Sequence, residues 1–160
     1  MRVGIGYDVH RLTPHRKLVL GGVEIPSDRG LDGHSDADVL VHALMDALLG
    51  AAGLPDIGVH FPNSDPQYKD AASIFLLGKV AQLISRQGFA IGNVDVTVIA
   101  EKPKISPAVS QMRDRLSKAL SVPPGSIGIK ATTNEGLGFI GRGEGIAAIA
   151  VALLQGPSGD

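Results

Sequence analysis

The chain has 160 residues, with fifteen Lys plus Arg against sixteen Asp plus Glu and a formal net charge of −1. One domain is expected, and no global basic field exists to hold a nucleic-acid backbone. Zero cysteines exclude a disulfide framework and a thiolate metal site, and four Phe, two Tyr and no Trp argue against a stacking platform for single strands.

The opening MRVGIGYDVH alternates Val3, Ile5, Tyr7 and Val9 with Gly4, Gly6, Asp8 and His10, the period of a half-buried strand on which Asp8 and His10 share one face. Residues 17–23 read as a second strand. The turn-rich PSDRGLDG then leads to a helix predicted to be capped by Ser35, with Asp38 at the capping-box position. That helix runs to about Ala52. It buries a stripe of Leu40, Leu44, Ala47, Leu48 and Ala51 and carries Asp38, His42 and Asp46 on another face. Gly53 and Pro55 stop it.

Residues 56–68, with two prolines, read as a loop. A second helix is expected to bury Ile74, Leu77, Ala81 and Ile84 and to end near Gly88. Val94, Val96 and Val98 form a strand, Ser106 and Pro107 open a third helix, and Ile127, Ile129 and Ala131 form another strand. Periodicity leaves the segment from Ile146 to Leu154 open between strand and helix. It is too short to span a bilayer and the opening has no long apolar run, so neither signal peptide nor membrane anchor is expected, and the cytoplasm is the expected compartment. The order suggests one sheet with helices on one side, in a domain over residues 1–156 with a disordered tail at 157–160.

Two imidazoles and a carboxylate from Asp8, His10 and His42 suit a divalent metal with a coordination position left for substrate, and Asp46, one turn beyond His42, is placed to orient that ring. The spacing alone leaves open a solvated strand end and a partly buried helix histidine. His34 and Ser35 stand at a helix N-terminus, where free N–H groups favour anions, although Ser35 as a plain cap explains the same residues. Gly136, Gly138 and Gly141 match G-x-G-x-x-G, but a dinucleotide fold is rejected because the chain ends before the acidic residue that such a unit needs. Lys104, the run from Lys130 to Glu135, and their hydroxyls are what a diphosphate with a bound cation requires.

Taken in order, GIGYDVHR, LDGHSDADVLVHALMDALLGAAGLPDIG, HFPNSDP, GNVDVTVIAEKPK and IKATTNEGLGFIGRGEGIAA closely resemble the 2-C-methyl-D-erythritol 2,4-cyclodiphosphate synthase family, from Met1 to about Leu154. The resemblance implies an α/β (α+β) domain. It has a mixed four-stranded sheet with helices on one face and a small hairpin, and it assembles as a homotrimer with active sites between subunits. It implies a metal-dependent lyase that converts 4-diphosphocytidyl-2-C-methyl-D-erythritol 2-phosphate to the cyclic diphosphate and CMP, on the non-mevalonate route to isopentenyl diphosphate.

By the same resemblance, Asp8, His10 and His42 hold one zinc per subunit, Asp8 and His10 also face substrate, and Glu135 holds a magnesium or manganese ion on the substrate diphosphate. His34, Thr133 and Glu135 act in catalysis. His34 and Ser35, with Asp56, Ile57 and Gly58 and with Phe61, Pro62, Asn63, Ser64 and Asp65, hold the erythritol phosphate end. An acidic residue is common in the family where this chain has Asn63, which would add a donor to that contact. The cytidine end falls to Ala100, Glu101, Lys102, Pro103, Lys104, Ile105 and Ser106, with Ala131, Thr132, Thr133 and Asn134 from another subunit. Phe139, Arg142 and Glu144 are expected at the trimer axis, with Phe139 and Arg142 also among the substrate contacts. There Arg142 and Glu144 form an ion pair, or three guanidiniums hold an isoprenoid diphosphate. A metal-dependent phosphoesterase and a non-catalytic metal and nucleotide binding oligomer are the alternatives. Neither nucleic acid nor membrane is an expected partner.

Overall fold

A computed structural model describes residues 1–156 of the chain; the tail predicted at 157–160 lies outside them. The first strand, β1 (Arg2–Pro14), is followed by β2 (Leu18–Leu20) and β3 (Val23–Ile25), which pair as a hairpin through Gly21 and Gly22, both with left-handed φ of 59° and 72°. The second predicted strand is therefore a tight turn flanked by two short strands, because only glycine reaches that backbone region without a Cβ penalty. Next come β4 (Arg29–Leu31), α1 (Val39–Ala52), the single turn α2 (Ile57–His60) and α3 (Ser73–Arg86). The remainder is β5 (Ala90–Ile99), α4 (Val109–Leu120), β6 (Ile127–Thr132), the single turn α5 (Gly138–Gly141) and β7 (Gly145–Gln155).

The main sheet has the order β4-β1-β7-β5-β6, with β5 and β6 parallel and the other pairs antiparallel. It has five strands rather than the four expected. β1 runs past the end of β7, and its overhang from Leu12 to Pro14 takes Arg29 to Leu31 as an antiparallel partner, which satisfies backbone groups that would otherwise be edge. The open C-terminal segment is a strand, paired on both sides by β1 and β5. A segment so enclosed needs one buried face, and Ala148, Ala150, Ala152 and Leu154 provide it.

Helix α1 begins later than predicted. Asp38, not Ser35, is its N-cap and accepts the Val41 N–H; Ser35 is turned inward by the left-handed backbone at Ala37 (φ 56°). Of the helix residues, Leu40, Leu44, Ala47, Leu48 and Ala51 are all buried as expected. On α3 the buried apolar positions are Leu76, Leu77, Val80 and Ile84, while Ile74 and Ala81 are only half-buried. The loop predicted at 56–68 contains α2 and a 3-10 turn at Pro66–Tyr68, each capped by its own aspartate, Asp56 and Asp65.

The sidedness of β1 is what sets the site. Its glycines, not its branched residues, face α1: a Cβ on Gly4 would stand 2.0 Å from the Ala47 carbonyl oxygen, and one on Gly6 2.0 Å from that of Ala43. The helix therefore lies directly on the strand backbone. Asp8 and His10 continue the glycine face, two and four residues beyond Gly6, and so meet the side of α1 that carries His42. The other face leaves Val3, Ile5 and Tyr7 68%, 71% and 55% exposed, with Ile149 and Val151 of β7 also open.

Candidate metal centre and cleft

Asp8 and His10 arrive from β1 and His42 from the first turn of α1. His10 Nε2 stands 2.9 Å from Asp8 Oδ2 and 3.2 Å from His42 Nδ1, and His42 Nδ1 is 3.1 Å from the same carboxylate oxygen. A tetrahedral zinc with ligands at about 2.0–2.1 Å separates them by roughly 3.3 Å, so the three donors already sit near coordination spacing. His10 Nδ1 donates to the Asp32 carbonyl at 2.7 Å. A carbonyl only accepts, so that nitrogen carries the proton and Nε2 presents its lone pair to the cluster. Lone pairs from a carboxylate and an imidazole thus converge, which a cation satisfies. The donor set fits a divalent metal of borderline softness.

Burial pushes the Asp8 carboxyl up, but hydrogen bonds and charge from His10 and His42 outweigh it and hold the group well below the usual carboxylate range. Burial likewise pushes the His10 imidazole down, and the Asp8 hydrogen bond and charge reverse that and raise it. Asp38, fully buried, is pushed up to about 6 by desolvation and by the charge of Asp36, against the pull of three backbone N–H donors at Gly22, Gly21 and Val41. It ties the β2–β3 hairpin to the start of α1, a role absent from the sequence reading.

The three ligand atoms form the floor of a cleft of about 240 Å³ lined also by Gly33, His34, Ser35, Ile57, Gly58, Phe61, Asn63 and Tyr68. His34 Nε2 is buried there without a hydrogen-bond partner among the described residues, a donor or acceptor left for something else. Phe61 packs edge-on against Tyr68 at 5.3 Å between ring centres and closes one wall. Pro62, Ser64 and Asp65 follow in the same loop, where Asp65 caps the 3-10 turn.

Asp46 does not orient His42. Its carboxylate accepts the Ile57 N–H at 2.9 Å and so fixes the start of α2, while burial pushes its own carboxyl up. The His42 ring is held instead by Ser73, which lies 2.9 Å from Nε2, and by Ser35 at 3.2 Å. Ser73 was missed because it stands thirty-one residues away at the start of a different helix, with no local motif to mark it. Ser35, read as a cap, is buried against these two side chains.

The remaining candidates lie elsewhere in the chain. Glu101, Lys102, Pro103 and Lys104 line a separate groove with Leu12 and residues 26–29, and Ala100 and Ile105 on either side are buried while Ser106 opens the 3-10 turn before α4. Ala100 N–H donates to the Thr132 carbonyl, and Glu101 accepts the N–H groups of Asn134 and Gly136, so this segment is fastened to the loop after β6. Ala131, Thr132, Thr133 and Glu135 are exposed at that end, and Thr133 donates to Glu135 Oε1 at 3.0 Å. Arg142 and Glu144 form the expected ion pair at 2.6 Å, both largely exposed. The backbone there is a turn, with Arg142 closing α5, rather than the extended stretch anticipated. Within one chain, then, the candidate metal ligands with their cleft and the groove beside Lys104 have separate linings.

Among the described residues no helix is long and apolar enough to cross a membrane. Against known proteins, the YgbB family matches residues 1–155. A 2-C-methyl-D-erythritol 2,4-cyclodiphosphate synthase of Symbiobacterium thermophilum is 62% identical over 98% of this chain and 99% of its own length. Among solved structures, the bifunctional IspDF from Campylobacter jejuni superposes with a TM-score of 0.92 at 42% identity, covering 96% of this chain and 42% of that one. The CDP complex of Plasmodium falciparum IspF superposes at 0.86 with 36% identity over 98% and 97%. Shared sequence over almost the whole length, together with a shared fold, means that the chain belongs to the YgbB family, whose similar members are 2-C-methyl-D-erythritol 2,4-cyclodiphosphate synthases.

Proposed function

We propose that this protein converts 4-diphosphocytidyl-2-C-methyl-D-erythritol 2-phosphate to 2-C-methyl-D-erythritol 2,4-cyclodiphosphate with release of CMP, in the non-mevalonate pathway. The observation that carries the reading is the convergence of Asp8, His10 and His42 on the floor of a cleft, in a chain 62% identical to a synthase of that name. An oxygen of the 2-phosphate attacks the β-phosphorus of the same molecule. One P–O bond forms, the bond to the oxygen bridging the α-phosphorus breaks, and CMP leaves with those electrons. The nucleophile is already ionised, so no side chain attacks and none must remove a proton. What the chain supplies is alignment and charge, and alignment alone contributes on the order of 7 to 11 kcal/mol in favourable intramolecular cases.

When bound, a zinc ion on Asp8, His10 and His42 supplies electrophilic stabilisation to the β-phosphate, and a magnesium or manganese ion on Glu135 supplies charge neutralisation to the diphosphate. His34, whose buried Nε2 has no partner among the described residues, donates to the phosphate end in this reading, and Thr133 donates from the other half-site. Ile57 and Gly58, whose N–H groups Asp46 and Asp56 hold in place, line the erythritol end of the cleft in this reading. Phe61 and Tyr68 exclude water above it. Lys104 and its neighbours in 100–106, with Ala131 to Asn134, bind the cytidine end, and the CDP complex of the Plasmodium relative supports a cytidine nucleotide as the ligand class.

The two half-sites are joined in a homotrimer, with substrate between subunits. The exposed Val3, Ile5, Tyr7, Ile149 and Val151 face supports this, since such an apolar sheet surface is unstable in water as a monomer and suits burial against copies of itself. Phe139, Arg142 and Glu144 then stand near the axis, where the charged pair suits either structural pairing or the head of an isoprenoid diphosphate.

Phosphorus NMR of the turnover mixture tests the reaction. A cyclic diphosphate with CMP is expected; inorganic phosphate or an open diphosphate would make it a phosphoesterase, and no turnover a binding protein. His42→Ala should lose the bound zinc and cyclisation while keeping its circular dichroism. A variant with one zinc per chain and normal turnover would remove His42 from the ligand set.

A further inference from the structure

We propose that Ser73 and Asp36 are positioning residues that fix which nitrogen of His42 faces the metal. The inference rests on the reading that Asp8, His10 and His42 bind a cation. Ser73 is fully buried at the first turn of α3. Its hydroxyl lies 2.9 Å from His42 Nε2 and bonds closely to Asp36 Oδ1, while its own N–H donates to Asp36 Oδ2 at 3.0 Å. A carboxylate only accepts, so the Ser73 proton is committed to Asp36. The Ser73 oxygen must therefore accept from His42, which places the imidazole proton on Nε2. The lone pair is then on Nδ1, and Nδ1 is the atom that meets Asp8 and His10 at 3.1 and 3.2 Å. His42 receives from a side-chain pair the tautomer that His10 receives from the Asp32 carbonyl.

The same two bonds explain how α3 starts. Its N-cap, Ala72, has no side-chain cap, and the Asp36 carboxylate takes the free Ser73 N–H in its place. Asp36 thus holds the helix end and the polarity of the metal ligand at once. Ser35 is a poorer candidate for that polarity, being 3.2 Å from His42 Nε2 and already accepting the Ala37 N–H.

The test is cobalt(II) and zinc(II) affinity by chelator competition on the intact assembly, with the cobalt absorption spectrum as a second readout. Ser73→Ala leaves Nε2 without its acceptor, and should raise the metal Kd by about 10- to 100-fold and shift the cobalt bands. Ser73→Thr retains the hydroxyl and should stay near wild type. Asp36→Asn is the sharper variant. Its amide must set NH₂ either against the Ser73 N–H, donor to donor, or against Ser73 Oγ, which turns the Ser73 proton onto His42 and moves the imidazole proton to Nδ1. It should weaken the metal at least as much as Ser73→Ala, and it decides the matter if Ser73→Ala does not fold. Folded Ser73→Ala and Asp36→Asn proteins with metal Kd within about twofold of wild type and unchanged cobalt spectra would overturn the relay. Failure of the wild type itself to bind either metal would instead overturn the metal reading on which it rests.

Discussion

The two faces of β1 use the same alternation to opposite ends. On one, Gly4 and Gly6 strip the strand to backbone so that α1 can lie on it, and the next two residues in that row, Asp8 and His10, meet His42 across the contact. On the other, Val3, Ile5 and Tyr7 stand in the open. The usual expectation that branched residues mark the buried side of a strand is reversed here within one chain. Close helix approach needs small residues, and the large ones are left for another surface. The closed face therefore sets the geometry of the three candidate ligands, and the open face is the one on which the proposed assembly rests.

This division is easiest to break from the closed side. Gly6→Ala puts a methyl 2.0 Å from the Ala43 carbonyl oxygen, a backbone atom that cannot swing away. Destabilisation of about 3 kcal/mol or more is expected in urea titration, with the metal lost as the helix lifts. A Gly6→Ala protein as stable as wild type would mean that α1 does not rest on the strand.

Ile5→Glu, one residue earlier and on the opposite face, should leave the subunit folded and the metal bound but weaken association by about 2 kcal/mol or more, read by sedimentation equilibrium. Turnover should fall with it, because the two half-sites are then no longer joined. Full activity in a monomeric Ile5→Glu protein would show that one chain suffices.

A smaller effect is expected from Glu135→Gln, since an amide oxygen lacks the charge that a hard cation prefers. The magnesium needed for half-maximal turnover should rise by about tenfold or more with zinc content unchanged. An unchanged magnesium dependence would withdraw Glu135 as a ligand.

The least effect belongs to the trimer axis. Farnesyl or geranyl diphosphate at a concentration equal to its Kd should add only about 0.4 kcal/mol of stability by mass action, visible as a small rise in thermal midpoint. Arg142→Ala should abolish the rise without loss of zinc. Equal rises in both proteins would leave the Arg142–Glu144 contact as a structural ion pair alone.

The sequence by itself determined the alternating first strand and the helix that carries His42, which depend on short-range periodicity, and the family, whose long ordered motifs imply the candidate ligand set that spacing alone left open. Tertiary structure decided which face of β1 is buried, since alternation reports that two faces differ and not which one a helix will choose. It also decided that Asp38 rather than Ser35 caps α1, that Asp46 serves Ile57, and that Ser73 and Asp36 support His42. The Asp38 cap is a local bond three residues from Val41, but the bonds of Asp46, Ser73 and Asp36 join residues from separate elements. A side chain's partner across such a distance is set by how the helices pack over the sheet, and no local pattern in the chain encodes it.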